Sequence, residues 1–229
     1  TFIGIVQDRP TDAKVIRVEF GAGSLTLLRS EVLSIRRGRT ALHDYYDLWA
    51  EVKKSQNPED YLRLFDFAKN NRLYKFRKPL MKAVLKLDPE NPMAYWGMAM
   101  ANGTNTRAKE FMEKALKHQA HTDEKGRMWI SARAAFQKES DKKKRDAAYL
   151  KALQAISTQY PDDIEAKAFV VLQMYRNGVR GKKTSHYENI DKLIGEILKV
   201  NPEHPCHHYR IHLWDHKDPK RAVASIVWL

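Results

Sequence analysis

The sequence predicts a mainly α fold: a superhelix of stacked α-α hairpins preceded by a small antiparallel β meander or open barrel. Three observations lead there. β-forming residues dominate only the first forty positions. From Thr40 onward the apolar residues recur at helical spacing. The helical part is punctuated by a recurring capping grammar, such as Asn57-Pro58-Glu59-Asp60 and Asn91-Pro92.

The β module is read over residues 1–38. Ile3, Ile5, Val15, Ile16, Val18, Phe20, Leu25 and Leu27 alternate partly with polar residues, and two breaks interrupt them, Arg9-Pro10-Thr11-Asp12 and Gly21-Ala22-Gly23-Ser24. Two turns imply three short strands, with Arg29-Ser30-Glu31-Val32 leading into a fourth. The glycines are assigned to φ > 0 in a hairpin, because no GxGxxG or Walker pattern follows them.

The helical domain is read over residues 40–229. Thr40 is placed as the N-cap of a helix carrying Leu42, Tyr45, Tyr46, Trp49 and Val52. Asn57 and Asn91 each stand before a proline at the first helical position, and Asp218-Pro219 repeats the pattern. Ser185-His186-Tyr187-Glu188 has the form of a capping box, and Gly103 and Gly178 stand where helices would stop. These marks divide the chain into about eleven helices. Pro89 and Pro161 are 72 residues apart and Pro161 and Pro202 are 41 apart, the spacing of two long helical repeats followed by one.

With 229 residues and 43% hydrophobic content the chain can bury a substantial core. No apolar run approaches the roughly 20 residues that span a bilayer. One cysteine excludes an intramolecular disulfide. The formal charge of +13 favours acidic partners. The basic residues are interleaved with acids, and the densest run, Lys142-Lys143-Lys144-Arg145, reads as a solvated helix start rather than a phosphate site. Thr1 is not an initiator Met, no export signal is visible, and Ile226–Leu229 stops within a helical pattern, so the polypeptide is expected to continue beyond this segment.

Tyr61-x-x-Leu64-Phe65-x-x-Ala68, followed by Met81-x-x-Val84-x-x-Leu87-Asp88-Pro89, resembles a tetratricopeptide repeat, and Tyr95-Trp96-Gly97-Met98-Ala99 with Ala108, Met112 and Ala115 resembles a second, shortened copy. With the Tyr160–Phe169 and His204–Ala222 segments, the chain resembles the large, poorly characterised tetratricopeptide proteins of planctomycete-type bacteria, some of which carry a small β module in front. The resemblance implies a bacterial protein, exported to the periplasm or cytoplasmic, whose repeat motifs specify packing and no reaction.

The stretch with the most unusual chemistry is Asn201–Pro219, which holds five of the nine histidines and the only cysteine. On a helix starting near Pro205, His208, His212, Asp215 and His216 share an arc of roughly 100°. Cys206, Tyr209, Ile211, Leu213 and Trp214 fill most of the opposite side, and Cys206 reads as a small buried hydrophobe. His208 and His216 are about 12 Å apart along such a helix, so a Zn or Cu ion would take only an adjacent pair. Three readings stay open for this face: packing, contact with a partner, and metal binding through His208, His212 and His216. The first helix of each pair lines the concave surface in the tetratricopeptide family, which makes His208, His212, Asp215 and His216 the expected partner-binding groove. The isolated His43, His118, His121 and His186 are read as structural.

No GxSxG elbow, HExxH, CxxC or glycine-rich phosphate loop occurs, so no catalytic residue is assigned. The sequence therefore points to a non-enzymatic scaffold or adaptor that binds a protein or peptide, an acidic one given the charge. A metal-dependent protein is the alternative, and nucleic-acid binding through the basic surface a further one, although the aromatics recur at packing positions rather than on a basic face.

Overall fold

A computed structural model describes residues 4–7, 14–35, 38–103, 106–179, 187–223 and 225. It is mainly α with a small open antiparallel sheet at the front, and it divides into two compact units, Thr1–His121 and Thr122–Leu229. No helix among the described residues is long and apolar enough to cross a membrane.

Strands β1 (Ile5–Gln7), β2 (Val15–Phe20) and β3 (Gly23–Leu28) form the sheet in that order. Val18 pairs with Leu25 and Ile16 with Leu27, which places these apolar residues on one face, and Ile16 and Val18 are buried there. Among the described residues the expected fourth strand does not form. The chain leaves β3 through a 3₁₀ turn, Arg29–Glu31, which rotates Val32–Ile35 away from the ladder and leaves Leu33 and Ile35 exposed. The Arg9–Asp12 turn lies outside the described residues.

Glycine in the β2–β3 hairpin has a different reason from the one the sequence suggested. The described glycine with a left-handed φ is Gly103, at 69°, just past a helix end. Gly21 is needed for close approach instead: a Cβ there would stand 2.7 Å from Arg72 O, and Gly21 O accepts the Lys75 amide at 3.1 Å.

The first unit continues with α1 (Ala41–Val52), α2 (Pro58–Asn70), α3 (Tyr74–Leu87), α4 (Pro92–Ala101) and α5 (Thr106–Lys117). The caps act as read: Asn57 Oδ1 accepts from the Glu59 amide, and Asn91 Oδ1 accepts from the Ala94 amide at 2.9 Å. His43 has a local task, accepting the Thr40 amide at its Nδ1. Tyr61, Leu64 and Ala68 of α2 meet Leu80, Met81 and Val84 of α3 in a core that also takes in Leu42, Tyr45, Ala94 and Met98, with Ile5 of the sheet packed against it. The sheet is further tied down by Glu19, which accepts from Tyr46 at 2.6 Å and pairs with Lys75.

The second unit holds α6 (Glu124–Lys138), α7 (Lys142–Gln159), α8 (Ile164–Val179), α9 (Tyr187–Val200), α10 (His207–Trp214) and α11 (Pro219–Val223). Consecutive helices pack as neighbours, α6 on α7, α7 on α8, α8 on α9 and α10 on α11. Asp141 caps α7 by accepting the Lys144 amide at 2.8 Å, so the Lys142–Lys144 run is an exposed first turn. Gly178 sits inside the last turn of α8 rather than beyond it. Ser185, His186 and Ile226–Leu229 lie outside the described residues. Pro89, Pro161 and Pro202 follow α3, α7 and α9, each the second helix of an adjacent pair.

Candidate functional site

The imidazole stretch begins with a compact turn. His204 Nδ1 accepts the Cys206 amide at 3.1 Å, and the His207 ring lies 2.7 Å from Pro202 O through Nε2. Both imidazoles are buried. They fasten the entry to α10 and are not presented to a ligand. Cys206 beside them is fully buried, and burial pushes its thiol up to about 12, which makes it chemically inert.

α10 itself is shorter than the sequence pattern suggested. It ends at Trp214, with Asp215 as its C-cap residue, and Pro219 opens the next helix. His208 and His212 therefore occupy the helix, Asp215 closes it, and His216 lies beyond its end. His208 and His212 are exposed, and their rings meet edge to face with centroids 4.6 Å apart. His212 also faces Tyr175 of α8 at 5.7 Å, Tyr175 faces Tyr209 at 6.0 Å, and Tyr209 faces His208 at 5.9 Å. Four rings thus form a closed circuit across α8 and α10.

Asp215 organises the polar end of this face. Its Oδ2 lies 3.2 Å from His212 Nδ1, and its Oδ1 lies 3.7 Å from His216 Nε2. His216 is almost wholly exposed, so its contact with Asp215 is a weak solvent-facing one.

The underside of α10 is held by a second carboxylate, which sequence reasoning did not single out. Asp191 of α9 accepts from Arg210 Nε at 2.7 Å and Nη2 at 3.0 Å, and from Trp214 Nε1 at 2.9 Å. Burial pushes its carboxyl up, yet the hydrogen bonds from Arg210 and Trp214 and the charges of Arg210 and Arg221 outweigh that and hold it below the ordinary range. Arg221 covers the Trp214 ring at 4.3 Å while bonding both oxygens of Glu188 at 2.9 and 3.0 Å. The bidentate Arg210–Asp191 pair, with Trp214 bonded to the same carboxylate, fixes the rotation of α10, and with it the direction in which His208 and His212 point.

Convergence of metal donors occurs elsewhere. Among the described residues the group of three candidate donor atoms lying within 4.8 Å of one another is Glu90, His118 and His121, in the first unit. Sequence reading had set His118 and His121 aside as isolated. The available signal was their i, i+3 spacing at a helix end. No family model matches the chain, and no curated protein matches it.

Proposed function

We propose that this chain is a non-enzymatic helical-repeat scaffold of tetratricopeptide type that binds an acidic segment of a partner protein. The contact surface in this reading is the face of α10 carrying His208, His212, Asp215 and His216, extended by Tyr175 and Tyr209. The observation that carries it is the four-ring circuit: flat imidazole and phenol surfaces on a helix whose rotation is fixed from beneath are what a peptide needs for packing and hydrogen bonding at once.

Charge supports the acidic character of the partner. Many of the acids are already paired with bases of the same chain, several of them at the surface: Asp44 and Asp47 with Arg39, Asp163 with Lys125, Glu196 with Lys167, Asp191 with Arg210 and Glu188 with Arg221. The chain as a whole keeps a formal surplus of thirteen positive charges, which favours an acidic partner.

The test is titration of the full chain with fluorescent Glu/Asp-rich peptides at about 150 mM salt, where surface charge alone is strongly screened. Saturable binding that weakens about tenfold in a His208→Ala/His212→Ala variant is the expected result. Binding that this variant leaves unchanged, and that vanishes with moderate salt, would reduce the interaction to net charge and defeat the reading.

A further inference from the structure

We propose that Glu90, His118 and His121 form a binding site for a divalent transition-metal ion, separate from the α10 face. His118 Nδ1 stands 3.9 Å from Glu90 Oε1, and His121 Nδ1 stands 3.5 Å from Glu90 Oε2. A tetrahedral ion with bonds of about 2.0–2.2 Å sets its donors about 3.4 Å apart. The two separations run to different oxygens of Glu90, so the carboxylate either chelates through both or turns to offer one, and one donor atom from each of the three residues already lies within 4.8 Å of the others. Glu90 and His121 are both exposed, so small side-chain rotations bring the third separation down without disturbing the core.

The backbone explains why these three side chains meet. α5 ends at Lys117, and the chain tightens into a 3₁₀ turn, Gln119–His121, in which the His121 amide donates to His118 O at 2.9 Å. Residues i and i+3 eclipse in such a turn, so the two imidazoles lie on one side, with ring centroids 6.0 Å apart. Glu90 arrives from the α3–α4 connection. Its amide donates to Asp88 Oδ1 at 3.2 Å, and Asn91 Nδ2 donates to Asp88 Oδ2 at 3.1 Å, which pins the turn that carries it.

Tyr95 of α4 joins the two halves. Its hydroxyl donates to Pro89 O at 2.9 Å, next to Glu90, and its ring stacks on His118 with centroids 6.3 Å apart and planes 20° apart. Partners of this kind orient metal ligands before the ion arrives and raise affinity. Two imidazoles and one carboxylate suit Zn²⁺, Co²⁺, Ni²⁺ or Cu²⁺ rather than Ca²⁺ or Mg²⁺, which take all-oxygen shells. Three protein donors leave a coordination position on the exposed side for water or an external carboxylate. Lys114, 5.5 Å from the Tyr95 ring centroid, opposes a cation here, and Glu90 supplies the compensating charge.

The test is calorimetric titration of the full chain with Zn²⁺ alone, with Co²⁺ visible absorption as a second readout of the ligand set. One tight equivalent is expected, with affinity lowered at least about tenfold in His121→Ala and in Glu90→Gln and unchanged in His208→Ala/His212→Ala. Tyr95→Phe, which keeps the ring and loses the hydroxyl, should weaken binding less. Both altered ligands are exposed, and circular dichroism checks that the variants remain folded. Absence of a tight equivalent, binding that survives both substitutions, or binding lost only in His208→Ala/His212→Ala overturns the site.

Discussion

At the scale of single residues, Asp191 of α9 ties down α10 through two of that helix's side chains. It satisfies Arg210 and the indole of Trp214, which is 2% exposed, so its loss strands two donors. Its carboxyl is held below the ordinary aspartate range, and an unfolded chain would therefore take up the proton first as acid is added. The stabilisation is complete above about pH 5 and is lost as pH falls through the lowered value. Asp191→Ala should cost about 2–3 kcal/mol at neutral pH in urea denaturation, and Asp191→Asn less, because the amide oxygen still accepts from Trp214. The gap between wild type and Asp191→Ala should narrow in strong acid, because the part that rests on the charged carboxylate is lost there. Equal losses for the two variants, or a gap of the same size at neutral and low pH, would remove Asp191 from this role. Glu19 plays a comparable part under the sheet: burial pushes it up, hydrogen bonds from Lys75 and Tyr46 prevail, and Tyr46 itself is pushed up to about 12 by burial and by that bond.

At the scale of elements, small residues decide how closely helices approach. Ala68, Ala99 and Ala115 are fully buried, and Gly97 on α4 faces Met81 on α3 so closely that a Cβ would lie 3.3 Å from Sδ and 3.5 Å from Cγ. Gly97→Ala sets a gain in helix propensity of about 1 kcal/mol against a shift of the flexible thioether, and should leave stability within about 1 kcal/mol of wild type. Gly97→Val adds a branch that the contact has no room for and should cost about 1–3 kcal/mol, read as a lowered denaturant midpoint at unchanged slope. A valine variant as stable as wild type would mean that α3 and α4 stand further apart. In the second unit, α6, α7 and α8 bury polar groups as well as small ones, among them Arg133, Asp146 and the bonded pair Gln173–Asn177, together with Ala132 and Ala166.

At the scale of the whole molecule, the net charge of +13 predicts a general attraction to polyanions. Duplex DNA should bind at low salt with an affinity that falls steeply with salt and is the same for unrelated sequences. A protein making about six phosphate contacts loses on the order of 10³ between 50 and 200 mM. Discrimination between sequences greater than about tenfold would contradict this and favour a true nucleic-acid site.

The punctuation of the fold was legible because it is local. Asn57-Pro58, Asn91-Pro92, Thr40 and Gly103 act through hydrogen bonds and dihedrals within one turn, so the division into about eleven helices after a small leading sheet was legible, and the described residues form eleven. Tertiary structure decided what depends on chain reversal. Val32–Ile35 has strand-forming residues but no ladder to join, and Gly21 is required by the turn between α2 and α3 rather than by its own hairpin. The histidines show the same division. Periodicity grouped His208 and His212 correctly on α10, whereas its extension to His216 failed where the helix ended at Trp214. It was silent about His118, His121 and Glu90, because a 3₁₀ turn at a helix terminus breaks the helical period and the carboxylate comes from a different connection. Local order is written in neighbouring residues; the meeting of donors from separate turns is set only when helices pack.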